Sequence, residues 1–438
     1  MRVKTRTPVI PLPELQPAID AVLGARLIAR DDAPVMVAFS GGGDSLALLL
    51  AAQAWATGRR LVALTVDHGL NPRAGAWADF CRERAARLGV AHRTLVWSGE
   101  KPLTGVSAAA RAARHRLLAD AARQAGAAVI LMGHTLDDDA EAGLMRLAGS
   151  SVSSPRVWSP SPAWPEGRGV FLLRPLLGVR RAALRSALTA LGERWIDDPA
   201  NVDPCSARAR ARTLLCDRAL AAPAERPCPC GLALGAEEGP AGDLTFPLGR
   251  LVGSSDAEAL LSAALLCAAG TARPPRRDRL LRLLARIGGG ERFAATLAGA
   301  RVESDGGRVH IVRDAGDSRR SPAGDVLLPL GRQMVWDGRF ECSAAESDAM
   351  IGALAGHAAS LPPLLRRAAR TVPPVARRAL PMILRMDGSM ALPTLLPTAS
   401  AHVRPLALAR LAAARGSIAS ETALRAWRNS RSHPKWED

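Results

Sequence analysis

A short glycine-rich loop contains the residues whose chemistry is easiest to read from the sequence. It consists of two serines, three glycines and one aspartate: Ser40, Gly41, Gly42, Gly43, Asp44 and Ser45. Glycines let the backbone turn tightly and bring successive N–H groups towards an anion, and serine hydroxyls add further donors. A carboxylate beside a phosphate site makes sense chiefly as a ligand of Mg²⁺, which we predict for Asp44. A serine-capped glycine turn is the alternative.

A second stretch crowds a histidine and several carboxylates together: His134, Asp137, Asp138 and Glu141. Carboxylates this close repel one another unless cations or a metal ion neutralise them. Acidic residues also suit a helix N-terminus, so helix capping is the alternative. For Asp137 the sequence favours neither interpretation. For Asp138 and Glu141, which are three residues apart, we predict a functional role.

Arginines form a third group of candidate functional residues. Arg111 and Arg114 are three residues apart on an expected helix and therefore share one face. Two guanidiniums together could bind a triphosphate or stabilise charge on a departing pyrophosphate, whereas an exposed basic helix is the alternative. Further on, three arginines alternate along the chain at Arg208, Arg210 and Arg212. They could follow the phosphates of an RNA, or form a solvated basic face.

Alternating elements must position these residues. Short apolar runs predict strands at 35–39, 60–66, 93–97 and 128–132. Intervening patterns predict helices at 45–57, 76–88, 107–124 and 138–147. Four successive strand–helix units indicate a parallel sheet with helices on both faces, hence an α/β fold. The segment 150–169 is interpreted as a loop or lid, 171–176 as a fifth strand and 181–191 as a helix.

The second half of the chain has a weaker α+β pattern. Helices are predicted at 257–268 and 276–287, and short strands at 308–312 and 339–342. The predicted division is an N-terminal extension, a catalytic domain, a linker, an accessory domain and a small C-terminal domain, with bounds 1–33, 34–222, 223–243, 244–320 and 321–438. The final part carries pairs of prolines and arginines.

Composition narrows the class of protein. The formal net charge is +17 with arginine dominant, which suits a polyanionic partner such as RNA, although a generally basic soluble protein is the alternative. The seven cysteines include no C-x-x-C pair, and Cys228-Pro-Cys230 is interpreted as two loop thiols rather than half a metal site. The N-terminal segment does not resemble a signal peptide, and no apolar run is long enough for a membrane span. We expect a cytoplasmic protein without membrane association.

The loop at 40–45, following a buried strand, resembles the PP-loop of the ATP-pyrophosphatase family. The resemblance implies a doubly wound parallel sheet of the adenine nucleotide alpha hydrolase-like kind, with ATP at the carboxyl ends of the strands. Members of this family cleave ATP between the α and β phosphates, adenylate an oxygen of the substrate, and then let a nucleophile displace AMP.

Other stretches are similar, within that family, to the tRNA(Ile)-lysidine synthetases. They are the D-H-G-L segment at 67–70, A-R-A-A-R-H at 110–115, G-H-T-L-D-D-D-A-E at 133–141, R-P-L-L at 174–177 and W-I-D-D-P-A-N at 195–201. The resemblance covers roughly 34–212. The sequence departs from the family pattern at Asn71, His115, Asp139 and Ala142.

The resemblance implies a reaction and assigns residues to it. ATP adenylates the C2 oxygen of the wobble cytidine in a tRNA(Ile) with a CAU anticodon, and the amine of free lysine then displaces AMP to give lysidine. The ATP site comprises residues 40–45 with Asp67 and His68, and Asp44 and Asp138 hold Mg²⁺. The implied catalytic set is Asp44, Arg111, Arg114, His134, Asp137, Asp138 and Glu141. Glu141 or Asp137 is expected to face the cationic end of lysine.

Three alternatives stay open. Another tRNA-modifying member of the family, such as a 2-thiolase, is one, although the iron–sulfur type requires paired cysteines. A small-molecule amidating ligase such as an NAD or GMP synthetase is the second, and the arginine-rich extension argues against it. A non-catalytic RNA-binding protein is the third. The sequence also leaves open whether the protein acts as a monomer or as a homodimer.

Overall fold

The computed structural model describes residues 12–150, 152, 154–199, 206–215, 235–254, 256–316 and 324–431. The chain forms two compact units, Met1–Arg226 together with Ile418–Asp438, and Pro227–Ser417. This differs from the predicted division, because residues 418–438 group with the first unit and 244–320 shares a unit with 321–417. Most of the predicted linker, together with Asn201, Cys205, Cys216, Cys228 and Cys230, lies outside the described residues.

The first unit alternates helices and strands. Its helices are α1 Gln16–Arg26, α2 Gly43–Trp55, α3 Ala74–Arg87, α4 Val106–Gln124, α5 Leu136–Leu147, α6 Arg181–Ala190 and α7 Ala207–Leu215. Its strands are β1 Asp31–Ala38, β2 Arg59–Asp67, β3 Ala91–Val96, β4 Val129–Leu131, β5 Trp158–Pro160 and β6 Phe171–Leu173. The predicted strands and helices of this half are confirmed with small shifts at their ends.

The sheet has the order β3-β2-β1-β4-β6-β5, and every neighbouring pair except β5–β6 is parallel. The predicted doubly wound parallel sheet is confirmed. The chain moves outward from β1 through β2 to β3 and then returns to the other side at β4. Ligands bind such sheets at this reversal, outside the carboxyl ends of the strands.

Several elements of the first unit were not predicted from the sequence, among them α1, α7 and the strand β5. Residues 158–160, expected to be part of a loop or lid, form the edge strand β5, which pairs antiparallel with β6. The Trp158 ring stacks on Phe171 with ring centroids 5.0 Å apart. Proline and serine around a three-residue strand hide its pattern, so the pairing was not visible from local sequence.

The core explains why the central elements are almost uniformly apolar. Met36 of β1 and Ile130 of β4 are fully buried in one cluster with Leu118 of α4. Helix α2 buries all of Leu46–Leu50, as expected for a helix covered on nearly every side. Strands buried on both faces need continuous apolar runs, which is the pattern from which they were predicted.

The second unit is α+β, as predicted. Its helices are α8 Leu248–Val252, α9 Ala257–Ala269, α10 Arg277–Gly288, α11 Pro363–Arg370, α12 Pro374–Arg377 and α13 Ala407–Ala414. Its strands are β7 Glu237–Glu238, β8 Leu244–Pro247, β9 Phe293–Leu297, β10 Ala300–Ser304, β11 Arg308–Arg313, β12 Val326–Leu327, β13 Met334–Trp336, β14 Phe340–Ala344, β15 Met350–Ala353, β16 Pro381–Leu384, β17 Met390–Ala391 and β18 Ala401–Pro405. They form three sheets, of which the largest has the order β7-β8-β11-β10-β9. No helix among the described residues combines the length and apolarity needed to span a membrane.

The last helix, α14 Glu421–Arg431, packs on the first unit. Glu421 is 1% exposed, and its carboxylate receives two bonds from the Arg59 guanidinium at 2.5 and 2.6 Å. The backbone N–H of Ile28 donates to the same carboxylate at 2.9 Å, and Trp158 Nε1 donates to the carbonyl of Ile418. Polar groups with buried partners thus hold the end of the described chain beside the start of the sheet.

Candidate active site

The glycine loop and the acidic stretch meet where β1 and β4 end. The loop follows β1 and leads into α2, whereas residues 133–141 follow β4 and form the start of α5. A Cβ atom at Gly133 would lie 3.2 Å from the carbonyl oxygen of Asp44 and 3.3 Å from Cα of Ser45. Glycine at 133 therefore permits the end of β4 to approach the start of α2 closely.

The loop has the conformation expected of a phosphate site. Gly41 has φ = +82°, a left-handed conformation that glycine adopts without strain. The Ser45 hydroxyl donates to the carbonyl of Gly42 at 2.8 Å and accepts the backbone N–H of Ser40 at 3.2 Å. Helix α2 begins at Gly43, so the partial positive charge of its N-terminus lies at the loop.

Residues after α6 cover part of the loop. The backbone N–H of Ile196 donates to the carbonyl of Gly41 at 2.9 Å. A Cβ atom at Gly41 would lie only 2.5 Å from Cδ1 of Ile196, and one at Gly43 would lie 3.6 Å from the Trp195 ring. The sequence interpretation used this W-x-x-D segment only as a family marker. The structure shows that it borders the loop, and the close approach of Ile196 explains why glycine is needed at Gly41.

The acidic residues converge on a cation that sequence reasoning missed. The guanidinium of Arg181 lies 3.0 Å from Asp44, 3.4 Å from Asp138 and 2.9 Å from Glu141. Arg181 is the first residue of α6, and its backbone N–H donates to Asp137 Oδ2 at 2.8 Å. The predicted helix begins at this residue, but nothing local distinguishes Arg181 from the arginine before it.

Asp137 and Asp138 both have helix-terminal roles. Asp138 accepts the backbone N–H of Thr135 at 2.8 Å and its hydroxyl at 2.9 Å, completing a capping box at the start of α5. Asp137 binds the first N–H of α6 and lies 3.3 Å from Arg180. The capping interpretation is thus realised at both residues, while the second oxygen of Asp138 stays outside the cap.

Burial and charge shift the carboxylate pKa values in opposite directions. Burial raises the pKa of Asp44 above its usual value, although Arg181 opposes the shift. Burial would also raise the pKa of Asp138, but Arg181, His134 and the Thr135 N–H together keep it below the usual value. Burial would lower the pKa of Arg181, and the surrounding carboxylates instead raise it. These groups stabilise one another's charges.

Glu141 is the most enclosed of the carboxylates, at 1% exposure. Besides Arg181 it contacts Arg208 at 3.3 Å and Arg212 at 3.0 Å. Arg208 and Arg212 are one turn apart on α7 and face the site, whereas they were predicted to run along RNA phosphates or solvent. An ammonium group would be a fourth cation at one carboxylate, so Glu141 is better suited to holding arginines than to binding lysine.

Arg111 and Arg114 differ from these paired arginines. Within the described ranges neither side chain has a hydrogen bond or an ion pair with a protein group, and Nε of Arg114 is buried. Burial, together with Arg111 and Arg208, lowers the pKa of Arg114 to about 10. Unpaired guanidiniums within electrostatic reach of Asp138 are suited to an anionic ligand.

Asp67 and His68 lie at the end of β2. Asp67 accepts the backbone N–H of Gly69 at 2.7 Å, and the His68 ring meets Trp97 edge-on at 6.2 Å between centroids. Burial lowers the pKa of His68, with Arg114 contributing. No described hydrogen bond joins either residue to the loop at 40–45. Their predicted contact with adenosine stays a prediction.

Two buried histidines belong to the same region. Burial, with Arg174 nearby, lowers the pKa of His134 to about 3, and burial with Arg114 and Arg111 lowers that of His115 to about 2. Neither ring nitrogen of His115 has a hydrogen-bond partner in the described part of the chain, and the residue is 5% exposed. Both rings are therefore neutral at physiological pH.

His115→Phe is expected to flatten the acid limb of the stability profile. The native ring stays neutral, whereas an unfolded histidine binds a proton below about pH 6.5. His115 alone therefore contributes a loss of about 1.4 kcal/mol of unfolding free energy per pH unit below that value. Urea unfolding between pH 7 and 4.5 measures this slope, and His402→Phe at an exposed site is the control. Identical slopes in wild type and His115→Phe would contradict the assignment.

The carboxylates also fit a magnesium ion bound together with a nucleotide. In the described parts of the chain, no three or more His, Cys, Asp or Glu side chains are arranged to hold a metal by themselves. Mg²⁺ is usually bound through one or two carboxylates plus substrate phosphates, so Asp44 and Asp138 meet that requirement. Asp44 Oδ1 is buried without a hydrogen-bond partner among the residues that the structure describes, as expected of an oxygen that binds a cation.

Comparisons with known proteins agree with this geometry. Residues 14–219 match a family model described as a PP-loop domain. A tRNA(Ile)-lysidine synthase from Caulobacter vibrioides is 48% identical over 84% of this chain and 88% of that protein. A second, from Rhizobium meliloti, is 33% identical over 70% and 72% respectively. The U34-tRNA thiolase NcsA from Methanococcus maripaludis is 17% identical, with a TM-score of 0.40 over 46% of this chain and 71% of its own, too distant to bear on activity.

Proposed function

Since this chain belongs to the tRNA(Ile)-lysidine synthase family, we propose that it ligates free lysine to C2 of the wobble cytidine of a tRNA(Ile) with a CAU anticodon, at the expense of ATP. It is then a ligase that forms a carbon–nitrogen bond. We also propose that the protein acts in the cytoplasm.

The charge balance of the site carries the proposal. Asp44, Asp138 and Glu141 pair with Arg181, Arg208 and Arg212. Two further arginines, Arg111 and Arg114, lie within electrostatic reach of Asp138 but form no ion pair among the described residues. The excess positive charge lies beside a backbone loop shaped for phosphates. A site of this kind is suited to ATP and to the pyrophosphate that leaves it, because stabilising charge on the departing group is the main demand of such a transfer.

In the first step the C2 oxygen of cytidine attacks the α-phosphate of ATP, and the bond between the α- and β-phosphates breaks. The loop N–H groups and Ser45 hold the phosphates, and Arg114 with Arg111 neutralises the departing pyrophosphate. Mg²⁺, held by Asp44 and Asp138, would add positive charge at the phosphates when bound.

In the second step the lysine amine attacks C2 and the C–O bond to AMP breaks. The amine proton passes to solvent or to a neutral base, and His134, being uncharged, can accept or donate a hydrogen bond. Of the two carboxylates expected to face lysine, Asp137 keeps a 17% exposed side chain, whereas Glu141 is enclosed by arginines. Asp137 is therefore the better candidate for its cationic end.

The test is release of AMP and pyrophosphate from ATP, with tRNA and lysine supplied together or singly. Transfer of labelled lysine to tRNA only when ATP, tRNA and lysine are all present would support the proposal. Cleavage of ATP with tRNA but without lysine transfer would instead favour another tRNA modification, such as thiolation. No cleavage under any condition would favour a non-catalytic RNA-binding protein.

The second unit offers a surface suited to tRNA phosphates. No acidic residue occurs between Asp348 and Asp387, although this stretch contains several arginines. On α11, Arg367 and Arg370 are exposed and have no ion-pair partner among the described residues. Cations of this kind bind nucleic acid by displacing counterions.

The double variant Arg367→Ala/Arg370→Ala is expected to weaken tRNA binding and to reduce its salt dependence. Each lost phosphate contact should lower the slope of log affinity against log salt concentration by about 1. Filter binding of tRNA at 50–300 mM salt measures this slope. Arg277→Ala serves as the control, because Arg277 is paired with Glu258. An unchanged slope in the double variant would place the tRNA backbone elsewhere.

A further inference from the structure

Arg181 is fixed at both its backbone and its guanidinium. The backbone N–H donates to Asp137 at the start of α6, and the side chain, 12% exposed, reaches the other acidic residues of the site. Its Nε is 3.0 Å from Asp44 Oδ2, and NH1 is 2.9 Å from Glu141 Oε1. Arg181, which follows β6, therefore joins the segment after β1 to the segment after β4.

Asp44 depends on this contact more than its neighbours do. Asp138 also lies 3.9 Å from Arg208, and Glu141 has both Arg208 and Arg212. Within the described residues Asp44 has Arg181 as its sole ion-pair partner. The loop carboxylate is thus held by one guanidinium.

The two oxygens of Asp44 are in different situations. Oδ2 accepts the bond from Arg181, whereas Oδ1 is buried and has no hydrogen-bond partner within the described ranges. Residues that hold the second oxygen of a metal-binding carboxylate set its orientation, and their loss typically weakens metal binding. A forked, planar guanidinium can also hold several carboxylates in fixed directions, which a lysine ammonium cannot.

We propose that Arg181 is a positioning residue for the metal–nucleotide site: it holds Asp44 through Oδ2 and leaves Oδ1 for the cation that accompanies ATP. The inference rests on the proposed function only in taking ATP with Mg²⁺ as the ligand. It requires neither tRNA nor lysine, so it can be tested separately from the ligation reaction.

The experiment measures ATP binding by calorimetry at a series of Mg²⁺ concentrations, without tRNA or lysine. In Arg181→Met the Mg²⁺ concentration for half-maximal enhancement of ATP binding should rise about 10-fold or more. ATP binding in EDTA should change less than threefold, because the loop and Arg114 remain. Arg82→Met, which removes an exposed arginine paired with Asp79, should change neither quantity.

Arg181→Lys keeps one charge but not the fork, and a smaller rise in the same direction is expected from it. If thermal unfolding shows that Arg181→Met does not fold, the proposal is tested with Arg181→Lys alone. An unchanged Mg²⁺ dependence in a folded variant would overturn the proposal. Tighter Mg²⁺ binding would also overturn it, because Arg181 would then be a competitor for the cation site. Failure of wild type to make lysidine, with the Mg²⁺ effect intact, would count against the proposed function alone.

Discussion

Asp44→Asn is expected to reduce the rate of pyrophosphate release from ATP by about 10³-fold. The substitution keeps the size of the side chain and removes the charge that attracts the cation at the phosphates. Arg181 would retain Asp138 and Glu141, at 3.4 and 2.9 Å, so the fold of the site should persist. The loss should therefore appear in the chemical step and in Mg²⁺ dependence rather than in stability.

The measurement is a single-turnover assay of pyrophosphate formation with saturating tRNA, lysine and ATP. Asp79→Asn is the matched control, because the Asp79 carboxylate is 60% exposed and, among the described residues, pairs with Arg82 alone on the surface of α3. A rate within tenfold of wild type for Asp44→Asn, with an unchanged Mg²⁺ requirement, would contradict the assignment of Asp44 as a metal ligand.

Of the substitutions considered, Glu421→Ala should lower the free energy of unfolding the most. It leaves the Arg59 guanidinium, whose side chain is fully buried, without the carboxylate that accepts two of its bonds. Removing one partner of a buried pair costs about 3–5 kcal/mol of unfolding free energy. A loss of about 3 kcal/mol corresponds to a fall of roughly 6–12 °C in the Tm of the first unit.

Differential scanning calorimetry tests this expectation, and Glu258→Ala in a largely exposed pair should cost at most about 1 kcal/mol. The double variant Arg59→Met/Glu421→Leu should recover most of the loss, since apolar side chains of similar volume often replace a buried pair without penalty. A Tm for Glu421→Ala equal to that of wild type would mean that α14 does not stabilise the first unit.

Local sequence patterns were sufficient to predict the strands and helices of the first sheet and part of the site. Strands buried on both faces have a continuous apolar signature, and Ser40–Ser45 lies directly after one of them. The meeting of this loop with 133–141 was expected only from the family resemblance, which assigned Mg²⁺ to both Asp44 and Asp138. The family model described as a PP-loop domain matches residues 14–219, which include both the loop and residues 133–141.

The rest of the site depends on contacts between residues far apart in the chain. Arg181 meets Asp44 across 137 positions and Glu141 across 40, and no local pattern records such pairings. Arg212 is likewise turned towards Glu141, although its alternation with neighbouring arginines suggested an exposed face. The return of α14 to the first unit was missed for the same reason.

The pairing of Arg59 with Glu421 has a consequence during synthesis on the ribosome. The two residues are 362 positions apart, so at about 5–20 residues per second the arginine is made roughly 20–70 s before its partner. During that interval the start of the sheet contains a cation that has not yet received its main counter-charge. A nascent chain that has not yet reached Glu421 therefore lacks the two hydrogen bonds that this carboxylate accepts from Arg59 in the finished protein.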